Sequence, residues 1–393
     1  MKIAYIGQKR VPSREGGIEK TVEKQALRLA ARGHEVILYN RSGHNIFGSQ
    51  YDSTAEWPDR TGNTDTAADV SADDLSRRLQ VRTVFTPAGF AGVPVYSFLA
   101  TVRALREHCD VLFYHGSGSC LMIPVAKLFG AKCAAMLHGI DSQRAKWKGF
   151  GRAYLRMGEK AAAARADVCF VLSENMRSYI RKTYGTGSQV IWNGAETIGL
   201  PADPYKEGAG LRQFGLEKDG YILSLVRIVP EKGIHYLIRA FRECRTDKKL
   251  VIAGGVDPAC RGYYEKLQSL AAGDPRILFT GYVQDPVVSE LYRNASVFVL
   301  PSDLEGMAHS LLEAMAAGCC CLVSDIPENS SVLGEHGATF RKGDPEDLRN
   351  TLQELLDDPE KAARYREGAA SYILERYSWD SCVDQIEAVF HAI

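Results

Sequence analysis

Two carboxylates flank a glycine-containing loop in the segment EGMAHSLLE, which begins at Glu305 and ends at Glu313. The segment follows the apolar run VFVLP and opens a helix-like run, HSLLEAMAAG. Because the first N–H groups of a helix lack intrahelical acceptors, Gly306, Met307 and Ala308 can offer donors to an anionic or hydroxyl-rich ligand. The alternative is structural, with Glu305 as an N-terminal cap and Glu313 as a solvated helix residue.

Two cations stand five residues apart in the loop VRIVPEKG, which lies between the strand-like YILSL and a predicted helix. Arg227 and Lys232 at the carboxyl end of a strand can both neutralise a diphosphate leaving group, on which charge accumulates as a glycosidic bond breaks. Gly233 permits a tight turn into the helix. The alternative is an ordinary surface loop.

A pair of glycines, Gly16 and Gly17, ends the loop after the first predicted strand. Glycine permits close approach of the backbone to a ligand, and a flexible turn is the alternative. The pattern is not GxGxxG and no acidic residue stands where a ribose contact would need one, so a dinucleotide site is poorly supported.

His138 follows the apolar run KCAAML, at the end of a predicted strand. A histidine there can point into a ligand cleft, although a structural histidine is the alternative. HxxxH, CxxC and DxD patterns are missing from the sequence, which therefore predicts no metal site. Neither a Ser/His/Asp nor a Cys/His arrangement for nucleophilic catalysis is recognisable.

Residues 144–160 combine six cations and three aromatic residues with one acid. This composition is typical of a segment that lies on anionic lipid; the alternative is a basic helix that packs its aromatic side chains into the core. The cations are Arg144, Lys146, Lys148, Arg152, Arg156 and Lys160, the aromatic residues Trp147, Phe150 and Tyr154, and the acid Glu159.

Short apolar runs alternate with helical patterns through both halves of the chain, which predicts parallel α/β units. Around residues 197–218 the pattern lapses into Gly, Pro and mixed charge, as in a linker. We therefore expect an N-terminal Rossmann-like domain over residues 1–200, a second over 201–375, and a C-terminal helix over 376–393 that packs back toward the first. The cleft between two such sheets is where ligands are expected.

The composition is that of an ordinary globular enzyme, with 45% hydrophobic and 24% charged residues. The formal net charge is +0 over 393 residues, but residues 1–200 carry +9 and the rest −9, which favours an anionic partner for the first half. Chance imbalance is the alternative.

The ten cysteines are expected to be reduced thiols, because neither a signal peptide nor a CxxC pair is present. With no apolar run long enough to span a bilayer, we expect a cytoplasmic protein, peripheral at the inner face of the cell membrane.

In combination, the EGxxxSLLE segment, the VRIVPEKG loop and the early Gly-Gly resemble glycosyltransferase family 4, retaining enzymes of the GT-B fold. The resemblance spans nearly the whole chain. The N-terminal stretches KRVPSREGGIEKTVEKQALRLAARGHEVILYNR and HGIDSQRAKWKGFGRAYLRMGEK are similar to bacterial rhamnosyltransferase-like members that build surface polysaccharides. The resemblance thus implies an α/β protein with two Rossmann-like domains whose parallel sheets face an interdomain cleft.

The resemblance also implies roles for the residues singled out above. Arg227 and Lys232 match the family's diphosphate-binding pair. Glu313 matches the carboxylate that accepts hydrogen bonds from the nucleotide ribose, and Glu305 the one beside the donor sugar. One departure is Val226, which stands where the family commonly has glycine and does not alter the charge arrangement.

The remaining matches place backbone and histidine contacts. Gly306, Met307 and Ala308 match a loop whose amides hold sugar hydroxyls or phosphate, and in the Gly16-Gly17 pair Gly17 matches the glycine near the phosphates and acceptor. His138 matches the histidine near the reacting sugar. Gly281, Tyr282 and Val283 match a segment that approaches the base.

The implied reaction moves a sugar from a dTDP- or UDP-sugar to a saccharide or lipid-diphosphate-linked acceptor, with no further cofactor, no metal and no nucleic acid. Retention of configuration is attributed in this family to front-face attack, in which the leaving phosphate helps deprotonate the acceptor hydroxyl. Two other functions stay open: a nucleotide-sugar epimerase of the same architecture, and a non-catalytic nucleotide-sugar-binding subunit.

Overall fold

The computed structural model describes residues 1–13, 16–43, 72–144, 147–198 and 208–393. They form two compact units, one comprising Met1–Asn193 with Trp379–Ile393 and the other Gly194–Ser378. Residues 199–207 of the predicted linker, as well as Arg14, Glu15 and Lys146, lie outside the described residues.

The first unit is built on a parallel seven-stranded sheet in the order β3-β2-β1-β4-β5-β6-β7. Its strands are β1 Lys2–Ile6, β2 Glu35–Arg41, β3 Leu79–Val84, β4 Val111–His115, β5 Lys132–Leu137, β6 Val168–Val171 and β7 Gln189–Val190. Its helices up to the linker are α1 Gly17–Ala31, α2 Ala72–Arg78, α3 Gly92–Arg106, α4 Ser117–Cys120, α5 Ile123–Leu128, α6 Gly149–Arg165 and α7 Glu174–Tyr184.

The second unit repeats the plan with a parallel six-stranded sheet in the order β10-β9-β8-β11-β12-β13. Its strands are β8 Tyr221–Leu225, β9 Lys249–Ala253, β10 Ile277–Gly281, β11 Val297–Leu300, β12 Cys321–Ser324 and β13 Gly337–Phe340. Its helices are α8 Ala209–Arg212, α9 Ile234–Arg242, α10 Arg261–Ala271, α11 Val287–Asn294, α12 His309–Ala316, α13 Pro327–Leu333, α14 Pro345–Asp357, α15 Pro359–Arg366 and α16 Ala369–Arg376.

The last helix, α17 Trp379–Ala392, belongs to the first unit and packs on α1. Its buried face includes Trp379 and Phe390, and the Phe390 ring lies 5.2 Å from that of Phe113 in β4. Oδ1 of Asp380 forms an ion pair with Nε of the buried Arg28 of α1, at 3.3 Å. Apolar packing and a charge pair therefore both fasten the chain's last helix to the first sheet.

Each sheet reverses its strand order once, between β1 and β4 in the first unit and between β8 and β11 in the second. The loops that leave the carboxyl ends of such neighbouring strands run to opposite faces of the sheet and open a crevice there. The segments predicted to bind ligand all follow a strand at this end of one or the other sheet. The fold thus provides one ligand-binding edge in each unit.

All ten cysteines lie within the described residues and all are free thiols. Eight of them are buried, and burial raises the pKa of Cys319 to about 12 and that of Cys320 to about 11. Thiols with such high pKa values stay protonated and unreactive at neutral pH. They serve as small apolar side chains of the core.

Candidate active site

In the second unit, the loop after β8 packs directly against the loop after β11. Gly233 has a φ of +66°, and a Cβ atom built there would lie only 1.9 Å from the carbonyl oxygen of Pro301. The Asp303 N–H donates to the Glu231 carbonyl oxygen at 2.8 Å. Only glycine fits this approach without displacing backbone, so Gly233 keeps the two loops in register.

This packing brings together two predicted site residues that are far apart in the chain. The ammonium nitrogen of Lys232 lies 2.5 Å from Oε1 of Glu305, and the two side chains are only 13% and 8% exposed. Glu305 does not cap α12, because the N-cap position is Ala308 and no side chain caps this helix. The carboxylate instead compensates a largely buried cation.

Arg227 stands on the same loop, just beyond the end of β8. It is half-buried, and its guanidinium makes no hydrogen bond or ion pair with any residue that the structure describes. The backbone around it is held by Gly254 after β9, whose added Cβ would lie 1.8 Å from the Val226 carbonyl oxygen. A half-buried guanidinium without a protein partner is suited to bind an anionic ligand.

Glu313 lies in α12 and is half-buried rather than fully solvated. Its Oε2 accepts a hydrogen bond from the hydroxyl of Tyr292 at 2.9 Å. Burial and the neighbouring carboxylate raise the pKa of Tyr292 well above its ordinary value, so the phenol remains a donor. Gly306, Met307 and Ala308 form the entry to the helix, whose N-cap residue Ala308 makes no side-chain capping hydrogen bond.

Gly281 is the last residue of the edge strand β10, and Tyr282 and Val283 follow it. The carbonyl of Gly281 accepts from the Gly254 N–H at 2.9 Å, which ties this segment to the loop after β9. Tyr282 and Val283 are half-buried. The segment therefore lies at the same edge of the sheet as Arg227, with β9 between β10 and β8.

In the first unit, Gly16 and Gly17 open helix α1. An added Cβ at Gly16 would lie 2.4 Å from Oε2 of Glu19, whose Oε1 accepts the Lys9 N–H at 2.9 Å. Glu19 is 5% exposed. The glycine therefore makes room for a buried carboxylate that fixes the turn between β1 and α1.

His138 follows β5, and its Nε2 lies 2.9 Å from Nδ1 of His115, the last residue of β4. Burial lowers the pKa of His138 to about 4; Asp141 opposes and Arg144 adds to that shift. Sequence reasoning did not identify His115. A signal was present, because VLFYH ends in a histidine at a strand end just as KCAAML is followed by His138.

Within the predicted segment 144–160, residues 149–160 lie in α6. Phe150 and Met157 are 75% and 57% exposed, whereas Tyr154 is half-buried and donates to the Gly118 carbonyl oxygen at 2.7 Å. Glu159, the acid of this segment, is buried and accepts hydrogen bonds from Ser142, Tyr179 and Tyr184. The exposed charges of α6 are therefore all positive.

Among the described residues, one group could hold a metal ion: His34, Glu387 and His391, whose ligand atoms lie within 4.8 Å of one another. Glu387 is already paired with His34 at 2.6 Å and with Arg32 at 2.9 Å. His34 precedes β2, so the group lies at the amino ends of the strands, away from the predicted site. We assign it to the ion pairs that fasten α17.

No helix that the structure describes is both long and apolar enough to cross a bilayer.

The chain is similar in sequence to known enzymes. It is 29% identical over 234 residues to the serotype-specific mannosyltransferase WbdA of Escherichia coli, and 25% identical over 407 residues to D-inositol 3-phosphate glycosyltransferase of Thermomonospora curvata. The first match covers 57% of this chain but only 28% of WbdA, and the second covers 95% and 90%.

Solved structures show the fold. HepE of Anabaena, in complex with UDP and glucose, superimposes with a TM-score of 0.78 at 16% identity, covering 100% of both chains. Sucrose-phosphate synthase of Thermosynechococcus elongatus gives 0.79 at 21% identity, covering 99% of this chain and 98% of that one. These similarities confirm the predicted α/β GT-B fold class.

Two family models match consecutive parts of the chain. Residues 15–197 match the model described as Glycosyltransferase Family 4, and residues 211–372 match the one described as Glycosyl transferases group 1. The chain is therefore similar to Family 4 glycosyltransferases in its N-terminal region and to group 1 glycosyl transferases in its C-terminal region.

Proposed function

We propose that this protein is a retaining glycosyltransferase that moves a sugar from a nucleoside-diphosphate sugar to a saccharide or lipid-diphosphate-linked acceptor during assembly of a cell-surface polysaccharide. The observation that carries the proposal is the Lys232–Glu305 pair at the carboxyl ends of neighbouring strands β8 and β11, on the same loop as Arg227, which has no side-chain partner among the described residues. The proposal agrees with the names of the relatives, several of which are mannosyltransferases of serotype or O-antigen chains.

The diphosphate accounts for the two cations. Arg227 offers a guanidinium that can bind two phosphate oxygens, and Lys232 a compact charge held in place by Glu305. As the bond to the sugar breaks, negative charge grows on the leaving diphosphate, and preorganised cations stabilise that charge without having to reorient. Glu305, which keeps Lys232 in position, would lie beside the donor sugar.

Glu313 and the start of α12 account for the rest of the donor. Oε2 of Glu313 accepts from Tyr292, which orients the carboxylate to receive hydroxyl donors such as those of a ribose. The amides of Gly306, Met307 and Ala308 precede a helix with no side-chain cap. Gly281, Tyr282 and Val283, two strands away from β8, would approach the base.

Two observations favour different donors. UDP and UDP-glucose are bound in the HepE structures, which favours a UDP-sugar here. The N-terminal motifs resemble rhamnosyltransferases, which favours dTDP-rhamnose. Binding of each donor to the full chain distinguishes them, because a ligand that binds only the native state raises the melting temperature.

Peripheral attachment at the inner face of the membrane would bring the protein to a lipid-linked acceptor. The exposed charges of α6 are all cations, and its large exposed apolar side chains are Phe150 and Met157. Cations that attract anionic lipid, together with apolar groups that enter the interface, are the features of a peripheral membrane segment.

The deciding experiment has two stages. UDP-, dTDP- and GDP-sugars are first screened by thermal shift, and the donor that stabilises the protein is then incubated with and without lipid-diphosphate-linked acceptors. Acceptor-dependent release of the nucleoside diphosphate supports the proposal. Conversion of the donor alone would indicate an epimerase, and binding without turnover on any acceptor would indicate a non-catalytic subunit.

A further inference from the structure

The carboxyl edge of the first sheet carries two histidines in direct contact. Nδ1 of His115 lies 2.9 Å from Nε2 of His138, and the rings are nearly parallel, 29° apart, with centroids separated by 5.1 Å. His115 is 1% exposed, whereas His138 is half-buried. In such a contact one nitrogen carries the proton and donates, and the other accepts with its lone pair.

The other two ring nitrogens make no hydrogen bond with any residue that the structure describes. Nε2 of His115 is buried, and the ring centroids of Tyr5 and Phe113 lie 5.2 and 4.3 Å from that of His115. His138 is the partly accessible member of the pair, so its Nδ1 is the nitrogen left to meet a ligand.

Burial keeps both rings neutral. It lowers the pKa of His138 to about 4, and it lowers the pKa of His115 well below its ordinary value, with His138 adding to that shift. Two neutral arrangements remain. If His138 donated from Nε2, His115 would carry its proton on Nε2, a buried N–H without an acceptor. If His115 donates from Nδ1, its buried Nε2 carries only a lone pair that lacks a donor.

The second arrangement costs less, because a buried N–H without a partner is rarer and more costly than an under-used acceptor. We propose that His115 is a positioning residue that fixes His138 as the tautomer protonated on Nδ1, so that His138 donates a hydrogen bond to an oxygen of the sugar ligand and is not a general base. The inference rests on the proposed function for the ligand, but the tautomer itself does not depend on it.

The backbone of His115 is held from two sides. Gly7, after β1, has a φ of +133°, and an added Cβ would lie 2.0 Å from the carbonyl oxygen of His115. The same oxygen accepts from the Ser119 hydroxyl at 3.2 Å. His115 therefore has little freedom to turn away from His138, as a positioning residue requires.

The tautomer is read by ¹⁵N NMR of the full chain labelled at histidine, near pH 7.5. The His138 signals are those that disappear in His138→Asn. We expect a protonated Nδ1 and an unprotonated Nε2 for His138. A protonated Nε2 on His138 would overturn the assignment, whatever the enzyme does.

Two variants of His115 test its positioning role. His115→Asn keeps an amide N–H near the place of Nδ1, whereas His115→Phe removes the donor at similar bulk. We expect His138 to keep its single tautomer in His115→Asn and to lose that preference in His115→Phe. The same His138 tautomer in both variants would show that His115 does not select it; the wild-type spectrum tests the assignment even if His115→Phe fails to fold.

Activity separates the donor role from mere packing. In His138→Asn the amide N–H stands near the place of Nδ1, and in His138→Gln it stands near that of Nε2. We expect kcat/KM within about tenfold of wild type for the first, and a loss of about 100-fold for the second and for His138→Ala. Equal losses in all three would overturn the donor role. The expected spectrum in a protein without transfer on any acceptor would instead uphold the tautomer and overturn the proposed function.

Discussion

Lys232 and Glu305 are separated by 73 residues of sequence, yet their charged atoms lie 2.5 Å apart in a largely buried ion pair. The contact exists because β8 and β11 are neighbours in the sheet and because Gly233 lets one loop press on the other. A buried cation whose carboxylate partner is already in place needs no reorganisation to meet a diphosphate. Arg227, by contrast, has no partner among the described residues.

Arg227 and Lys232 should therefore respond differently to truncation. Both Arg227→Ala and Lys232→Ala are expected to lower kcat/KM by about 100- to 1,000-fold, since each removes a cation that stabilises the negative charge of the leaving diphosphate. Arg227→Ala should leave the free energy of unfolding almost unchanged. Lys232→Ala should lower it by about 1–3 kcal/mol, because Glu305 is left buried and unpaired.

The control adds Glu305→Gln to Lys232→Ala, which removes the unpaired charge. Urea unfolding should show recovered stability, while transfer stays as low as in the single variant. Equal destabilisation by Arg227→Ala and Lys232→Ala would contradict the difference in pairing, and wild-type turnover in either would contradict the roles in phosphate binding.

Gly233→Ala tests the contact between the two loops. An alanine Cβ there would meet a backbone oxygen at 1.9 Å in a left-handed conformation, so the loop must shift. We expect a stability loss of about 2 kcal/mol or more and weaker donor binding. Gly262→Ala in α10 is the matched control, since an added Cβ there meets nothing within 4 Å. It should stabilise slightly, by up to about 1 kcal/mol. Similar melting temperatures for both variants would argue against the contact.

The central strands of both sheets could be predicted from sequence because they are continuous apolar runs, buried on both faces. Three strands whose sequences lack such a run, β3, β7 and β13, are all edge strands. In β3, Val81 is 37% exposed and Arg82 is half-buried, so the apolar run that reveals a buried strand is missing. An edge strand needs fewer apolar side chains, and its sequence resembles that of a loop.

The candidate site divides in a similar way. Residue types and their position after strands pointed to Arg227, Lys232 and Glu305, because charge at strand ends is visible in sequence. The pairing of Lys232 with Glu305 was not visible, since it depends on strand order. His115 was missed because a buried histidine inside an apolar run looks like part of the core until the neighbouring strand places His138 beside it.

Tyr292→Phe tests the orientation of Glu313. The variant removes the hydroxyl that donates to Oε2 at 2.9 Å. Tyr221→Phe is the matched control, because Tyr221 is equally buried and its hydroxyl donates to a backbone oxygen, that of Leu291, at 2.7 Å. Each change should cost about 1 kcal/mol of stability. Only Tyr292→Phe should raise KM for the donor, by about fivefold, as steady-state kinetics would show. A similar rise in Tyr221→Phe would point to a general loss of stability instead.

Charge reversal on α6 tests membrane attachment. Arg152 and Arg156 are exposed on this helix, and the double variant Arg152→Glu with Arg156→Glu should weaken binding to vesicles containing anionic lipid by about 10-fold or more, since each cation contributes about 1 kcal/mol. Arg261→Glu, an 83% exposed site in the second unit, should have no effect. Vesicle sedimentation at low salt measures the difference. Equal binding by wild type and the double variant would exclude this surface.

Acid should destabilise the fold through the histidine pair. Burial lowers the pKa of His138 to about 4 from an ordinary value of 6.5, so the unfolded chain binds protons that the folded chain does not. Stability from this group is therefore complete above pH 6.5 and declines as the pH falls toward about 4. His138→Asn cannot titrate, so its urea midpoint should fall less than that of wild type between pH 7.5 and 5. His108→Asn is the control, because His108 is exposed and has a φ of +53°, which asparagine tolerates. The urea midpoint of His108→Asn should fall as much as that of wild type. If the midpoint of His138→Asn also fell as much as that of wild type, the acid sensitivity would arise elsewhere.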